Sequence, residues 1–288
     1  MNVAVLGDVM LDVVVVPVAP LSATSDTPSR VRVGRGGSGA NLAIALARTG
    51  HDVTYLGAVG RDGAGALWRG YLAEAGVHAR LEEVDAATGV VVALVGGDGQ
   101  RSMYTDRGAN SLLTGSFVET ALATVQHLHV SGYSLLDAAT RELSVSALSF
   151  ARECGASTSV DVCSVGPLRA VGPALFASLV EGVDYLFANE EEATVLGARG
   201  IDQALLALGE LAREVLVTRG AKGALVRRGE LTSTAPSLAR EVLDTTGAGD
   251  AATGTYLGAR LAGEDVEIAL VNAMAAAAIV VGGLGADV

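Results

Sequence analysis

The sequence predicts an α/β fold, a mostly parallel central sheet with helices on both faces and a small β-sheet projecting over it as a lid. Three observations carry this. From residue 128 onward, short apolar runs alternate with stretches of helical spacing. Before that point strands cluster without long crossover helices, around 13–33 and 89–105. No linker, low-complexity run or repeat divides the 288 residues, so one domain, 1–288, with those lid strands inserted in it, is expected.

Val3 to Leu6 is a short apolar run closed by Gly7-Asp8, as in a buried parallel strand. Val13–Val16 and Ser29–Val33 read as strands around the polar loop Ser22–Pro28. Residues 40–49 have helical apolar spacing and a Gly50 stop, and Val53–Val59 follows as a strand. Leu67–Ala75 reads as a helix ended by Gly76. Gly89–Val95 and Gln100–Thr105 read as strands joined through Gly96-Gly97-Asp98-Gly99, a hairpin signal. Leu128–Ser131, Ser157–Val162, Tyr185–Ala188 and Glu214–Thr218 are core strands, with helices at Ala138–Glu153 and Asp202–Arg213 between them. The uncharged stretch Ile268–Ala286 reads as a buried last helix and a Gly-rich tail rather than a membrane span, because Ala and Gly supply most of it and no Lys or Arg flanks it.

Hydrophobic residues make up 50% of the chain and charged residues 18%, which excludes disorder; aromatics are only 4%, so the core is built from small aliphatic side chains. A net charge of −12 argues against nucleic acid or an anionic membrane as partner. It leaves room for a phosphorylated ligand held locally by backbone N–H groups and a metal ion. Two cysteines, Cys154 and Cys163, make no disulfide framework, and the first residues lack a basic leader; both fit a reducing cytoplasm.

The chemistry concentrates in Asp244-Thr245-Thr246-Gly247-Ala248-Gly249-Asp250, set before an apolar, Ala-rich helix. Glycines at a helix start leave backbone N–H groups free for an anion. Asp250 adds a carboxylate at the same mouth, and an anion cradle beside a base is what phosphoryl transfer to an alcohol needs. A second Gly-rich segment, Gly34-Arg35-Gly36-Gly37-Ser38-Gly39-Ala40-Asn41, allows close backbone approach by a ligand. Its Gly34-x-Gly36-x-x-Gly39 spacing also satisfies a dinucleotide fingerprint, but that fingerprint follows the first strand of a βαβ unit, and here Gly7-Asp8 occupies that turn. Asp12 has the chemistry to accept from paired hydroxyls or to cap a loop; Asn189 and Glu192 suit Mg²⁺ or an acidic helix start. Thr218 ends a strand before a Gly-rich turn, where open α/β sheets bind ligands. Lys222 reads equally as a surface lysine. The histidines read as structural; Cys163, two residues after Asp161, reads either as lining the cleft or as an ordinary small buried residue.

In their order along nearly the whole chain, these segments resemble the ribokinase-like (PfkB) carbohydrate kinases. Gly7-Asp8-Val9-Met10-Leu11-Asp12 matches the family's opening strand, Gly36-Gly37 and Asn41 its sugar-binding signature, Asp106-Arg107-Gly108-Ala109-Asn110 the loop leaving its lid, and His129-Val130-Ser131-Gly132-Tyr133 a strand end near the acceptor. Asn189-Glu190-Glu191-Glu192 matches its Asn-x-x-Glu motif and Thr218-Arg219-Gly220-Ala221-Lys222-Gly223 its nucleotide loop. The resemblance implies a three-layer α/β/α sandwich with a lid, ATP and Mg²⁺, and a sugar-like acceptor. It implies Asp250 as catalytic base, Gly247, Ala248 and Gly249 as anion hole, and Asp12, Gly36, Gly37, Asn41 and Arg107 around the substrate. Asn189, Glu192, Thr218, Gly220, Lys222 and Gly223 would meet the nucleotide, with Glu192 also on the metal. Asp244 and Thr246 would serve a monovalent cation such as K⁺, and the lid would suit a homodimer. Ala251-Ala252 and Met274 depart from the family pattern near the base and the adenine. A nucleoside kinase, with Tyr104 or Tyr133 against a base, and a sugar sensor without catalysis are the rival readings. An arginine in the lid loop, Arg107, hints at an acidic or phosphorylated acceptor.

Overall fold

The computed structural model describes residues 1–96, 101–197, 200–240, 242 and 244–283. In chain order its strands are β1 (Asn2–Leu6), β2 (Met10–Pro17), β3 (Ser29–Gly36), β4 (Asp52–Gly60), β5 (His78–Val84), β6 (Gly89–Val95), β7 (Arg101–Asp106), β8 (His127–Ser131), β9 (Ser157–Asp161), β10 (Val183–Asn189), β11 (Ala212–Thr218), β12 (Ala224–Arg228) and β13 (Leu231–Ala235). The helices are α1 (Ser38–Ala47), α2 (Gly63–Glu74), α3 (Val118–Leu122), α4 (Gly132–Leu136), α5 (Arg141–Glu153), α6 (Val165–Val171), α7 (Pro173–Val180), α8 (Glu190–Leu196), α9 (Ile201–Leu211), α10 (Ala248–Leu261) and α11 (Val266–Val281).

The large sheet runs β13-β12-β11-β10-β9-β8-β1-β4-β5. From β11 to β5 every pairing is parallel; β12 and β13 close one edge as an antiparallel hairpin. The strands β1, β4, β10 and β11 are largely apolar on both faces, which is why short apolar runs marked them, whereas β8 and β9 carry the buried polar residues His127, His129 and Ser159 on one face. In β1, Ala4 and Leu6 pack into one apolar layer while Val3 and Val5 pack into the other. Buried residues of α3, α4, α5, α6, α7, α8 and α9 fill the first layer, and those of α1, α2, α10 and α11 fill the second. The result is a three-layer α/β/α sandwich.

The small sheet, β3-β2-β6-β7, leaves the large one between β1 and α1 and again between β5 and β8. Its two exits are stapled by buried Asn110, which accepts from Val9 N–H (2.8 Å) and donates to the Val9 and Arg107 carbonyls (2.8 and 2.9 Å). Register sets its faces: Asp12 lies opposite Gly34 and Val91, and Val91 opposite Thr105, so these share the face toward the large sheet.

Several boundaries differ from the sequence reading. β2 starts at Met10 rather than Val13 and α1 at Ser38 rather than residue 40, which leaves Asn41 in the first helical turn as expected. The stretch Ala138–Glu153 is helical only from Arg141, and Arg213 belongs to β11 rather than to a helix. The strands β5, β12 and β13 were not anticipated. Most of the Gly96–Gly99 turn, and Gln100, lie outside the described residues. Ile268 to Val281 lies in α11, and no described helix is long and apolar enough to cross a membrane.

Candidate active site

The parallel strands β1, β8, β9, β10 and β11 end along one edge, and the residues at or just past those ends are Asp8, Ser131, Asp161, Asn189 and Thr218. A cavity of about 1170 Å³ opens there beneath the small sheet. Two helix N-termini enter it. Small residues allow this: a Cβ on Gly39 would stand 2.7 Å from Gly7 Cα, and one on Gly254 would stand 2.7 Å from Ala45 Cβ. The first contact seats α1 against the end of β1. The second closes α10 on α1 and so brings Asp250, in the first turn of α10, to the start of α1.

Asp250 accepts from Ser38 Oγ (2.7 Å) and from Asn41 Nδ2 (3.2 Å), one donor on each oxygen. Burial lifts its carboxyl to about 7; the Ser38 and Asn41 hydrogen bonds oppose that rise, and the charges of Asp161 and Asp8 add to it. Asp12 is also lifted to about 7, by burial and then by the charges of Asp250 and Asp8. Gly36 backs Asp12 so closely that any Cβ would collide with its carboxylate, and Gly37, at φ 94°, fits under the Asp8 carbonyl. Buried Asp8 accepts from Gly39 N–H (3.2 Å) and Ser131 Oγ (3.0 Å), which ties the Gly-rich segment to β8.

At the other end of the cavity, Gly247 takes a left-handed conformation (φ 77°) and caps α10. Gly247 and Gly249 line the cavity, and a Cβ on Gly249 would meet nothing within 4 Å. The N–H of Ala248, expected in an anion hole, turns instead to the Thr245 carbonyl (3.3 Å), and Ala248 does not line the cavity. Asn189 caps α8 by accepting from the N–H groups of Glu191 and Glu192, and Glu192 reaches back to the Asn189 N–H (2.8 Å). Burial pushes the Glu192 carboxyl above its ordinary range, and burial with the charge of Glu192 pushes Asp161 up.

Of the residues singled out by sequence, Asp12, Gly37, Asn41, Arg107, Asn189, Glu192, Thr218, Thr246, Gly247, Gly249 and Asp250 line the one cavity. Gly220 lines a shallow neighbouring groove with Asn189 and Thr218. Gly223 holds a turn against Ala235 at φ 81°, and Lys222 Nζ, exposed, pairs with Glu190 (3.1 Å). Asp244 is buried and accepts from the Thr246 N–H (2.9 Å) and Oγ1 (2.8 Å). Arg107 is tied to Asp137 at 2.9 Å. Tyr133 lines the cavity, whereas Tyr104 sits on the opposite face of the small sheet, 61% exposed. Met274 is buried in the core. Gly34 and Gly36 belong to a strand of the small sheet, not to a turn after a core strand, which removes the basis of a dinucleotide fingerprint. His127 and His129 are buried, hydrogen-bonded to Ser157 and Ser159, and held neutral by burial with pKa values down at about 3.

Two contributors, Ser38 and Asp161, escaped the sequence reading, and of the two readings of Cys163 the one lining the cleft holds. Ser38 was hidden among glycines. Asp161 ends β9 beside the other strand-end residues, and that position alone marks it. Cys163 is no ordinary buried residue: its φ of 72° is the one left-handed non-glycine backbone among the described residues, and its Sγ lies 3.7 Å from Ser38 Oγ.

No cluster of three or more His, Cys, Asp or Glu among the described residues could hold a metal unaided. Two raised carboxylates, Asp161 and Glu192, do line the cavity, and Mg²⁺ ordinarily takes one or two carboxylates plus phosphate oxygens and water. The donor set fits Mg²⁺ brought in with a nucleotide.

The family model described as pfkB family carbohydrate kinase matches residues 1–288. The ribokinase of Bacillus subtilis is 28% identical over 99% of this chain and 94% of its own length. The bifunctional protein HldE of Pseudomonas aeruginosa is 31% identical over 98% of this chain, which spans 60% of that relative. Among solved structures, adenosine kinase from Sinorhizobium meliloti superposes with a TM-score of 0.89 at 25% identity, covering 99% of this chain and 95% of that one. A putative ribokinase II from E. coli in complex with ATP and Mg²⁺ gives 0.82 at 25% identity, covering 99% and 94%.

Proposed function

Because the chain belongs to the pfkB family of carbohydrate kinases, we propose that it transfers the γ-phosphoryl group of ATP to a primary hydroxyl of a sugar-like acceptor. The acceptor binds between the small sheet, acting as a lid, and the strand ends of the large sheet, with residues 1–288 forming one kinase domain. One observation carries the reading: Asp250, lifted to about 7, stands in the first turn of α10 beside the backbone of Gly247 and Gly249. A base and an anion cradle thus share one helix start.

The acceptor hydroxyl donates to Asp250 as it attacks, and Asp250 takes its proton. Gly247 and Gly249, with the positive end of α10, stabilise charge on the transferring group. Asp12, Gly37 and Asn41 hold the acceptor's other hydroxyls, with Gly36 leaving room for Asp12. Thr218, Gly220 and Asn189 flank the nucleotide. Mg²⁺, held through Glu192 and Asp161, offsets phosphate charge when bound. A monovalent cation such as K⁺ is assigned to the Asp244–Thr246 loop, and turnover in KCl well above that in NaCl is the expected sign of it. The cytoplasm supplies ATP and keeps Cys154 and Cys163 reduced. A homodimer through the outer face of the small sheet, where Val31, Val33 and Tyr104 are exposed, would cover apolar surface.

The test is acceptor-dependent formation of ADP with Mg²⁺ across sugars and nucleosides. A nucleoside acceptor is the second reading, favoured by Tyr133 on the cavity wall and by the likeness to an adenosine kinase. The pH profile offers a finer check. Only ionised Asp250 accepts a proton, so kcat/KM falls as pH drops through about 7 rather than through the ordinary carboxylate range; an acid limb near 4 would contradict the assignment. Ser38 holds the ionised form, so Ser38→Ala raises the carboxyl further and moves the acid limb to higher pH. An unmoved limb would deny Ser38 that role.

A further inference from the structure

Among the described residues lining the cavity there is one guanidinium, Arg107, and there are seven carboxylates. Arg107 is already engaged. Its Nε donates to Asp137 Oδ2 (2.9 Å), the oxygen that also accepts from Ser111 Oγ (2.6 Å), and the guanidinium lies over the Tyr133 ring, 5.7 Å from its centroid. Asp137 Oδ1 accepts from the Ala139 N–H (3.0 Å), so both oxygens are used. The pair is sheltered, with side-chain exposures of 22% and 14%. Against the upward push of burial, the hydrogen bonds from Ser111, Ala139 and Arg107 keep Asp137 ionised. Arg32 stands farther out on the same face of the small sheet and does not line the cavity.

The groups around Asp250 are mostly acceptors. Asp12 presents a carboxylate, and Asn41 keeps a buried side-chain oxygen with no hydrogen-bond partner. Hydroxyl-rich molecules bring donors to such a wall; a phosphate dianion brings only acceptors and charge. Resting on the kinase reading above, we propose that the acceptor is uncharged, a polyhydroxylated sugar or nucleoside carrying no phosphate, and that Asp137 enforces this by holding Arg107. A phosphorylated acceptor would have to share Arg107 with Asp137 in a cavity lined by seven carboxylates, a like-charge penalty that no other Lys or Arg among the described cavity-lining residues offsets.

The test measures binding of matched pairs by calorimetry, ribose against ribose 5-phosphate, fructose against fructose 6-phosphate, and adenosine against AMP. Saturating Mg²⁺ and a non-hydrolysable ATP analogue keep phosphorylated ligands out of the nucleotide end. In the pair that contains the tightest binder, the neutral member is expected to bind at least about tenfold more tightly. Asp137→Asn keeps the shape of the site, frees Arg107, and is expected to narrow that ratio by about tenfold. Tighter binding of the phosphorylated member, lost in Arg107→Gln, would overturn the proposal. An unchanged ratio in folded Asp137→Asn would overturn the part given to Asp137. Neutral ligands that bind but are never phosphorylated would instead bring down the kinase reading and leave the pairwise preference standing.

Discussion

Asp250→Asn is expected to lower kcat by about 10²- to 10⁴-fold, the usual worth of a positioned general base, with acceptor and ATP KM values changed only a few-fold. The substitution suits the site sterically. Asn keeps an oxygen for Ser38 Oγ, and the Asn41 amide, whose oxygen is unpaired, can turn to accept from the new amide nitrogen. It also removes a carboxylate whose ionisation burial disfavours. The melting temperature of the ligand-free protein therefore stays level or rises, a combination that separates lost chemistry from lost structure. Steady-state kinetics with a thermal melt checks both. Near-normal turnover by a folded Asp250→Asn protein would remove Asp250 from the mechanism.

The second large effect lies beneath the site. Glu214 on β11 is 3% exposed and accepts from Tyr256 Oη (2.7 Å) and from Arg260 Nε (2.8 Å) and Nη2 (3.0 Å), both on α10. This bidentate pair ties the strand that ends at Thr218 to the helix that begins beside Asp250. Glu214→Ala leaves Arg260, whose side chain is 10% exposed, without its counter-charge and buried Tyr256 without its acceptor. Breaking a buried pair from one side costs about 3–5 kcal/mol, which for a chain of this size lowers the melting temperature by about 10 °C. Glu214→Gln, whose one amide oxygen still accepts from Tyr256 Oη and Arg260 Nε, loses less. A melt within 2 °C of wild type for Glu214→Ala, which at ~2–4 °C per kcal/mol is about 1 kcal/mol or less, would contradict the ~3–5 kcal/mol assigned to the pair.

The contrast between those residues and the sheet shows what sequence alone makes legible. The strands β1, β4, β10 and β11 announced themselves because burial on both faces demands largely continuous apolar runs. The strand His78–Val84 at the edge of the large sheet is half-exposed and carries Arg80, Glu82 and Glu83, so no such run marked it. The hairpin Ala224–Ala235 carries Arg227, Arg228 and Thr232 through an edge position for the same reason. At the site, features set by local backbone chemistry were readable: Gly247 at the start of α10, the acidic helix start at Asn189–Glu192, and the need for small residues at Gly36 and Gly37. Contacts between distant segments were not. Nothing in the sequence places Ser38 on Asp250, 212 residues away, or sets Asp137 against Arg107 and so removes the free cation that Arg107 had suggested. Those pairings come from how α1 closes on α10 and how the lid loop meets α4 and α5.

The most direct measurement of the central claim is ³¹P NMR of the protein with MgATP and a panel of neutral sugars and nucleosides. The expected spectrum contains a new phosphomonoester resonance, growing with one acceptor in step with ADP. ADP accompanied only by inorganic phosphate, at the same rate whether or not an acceptor is present, would contradict phosphoryl transfer to an alcohol.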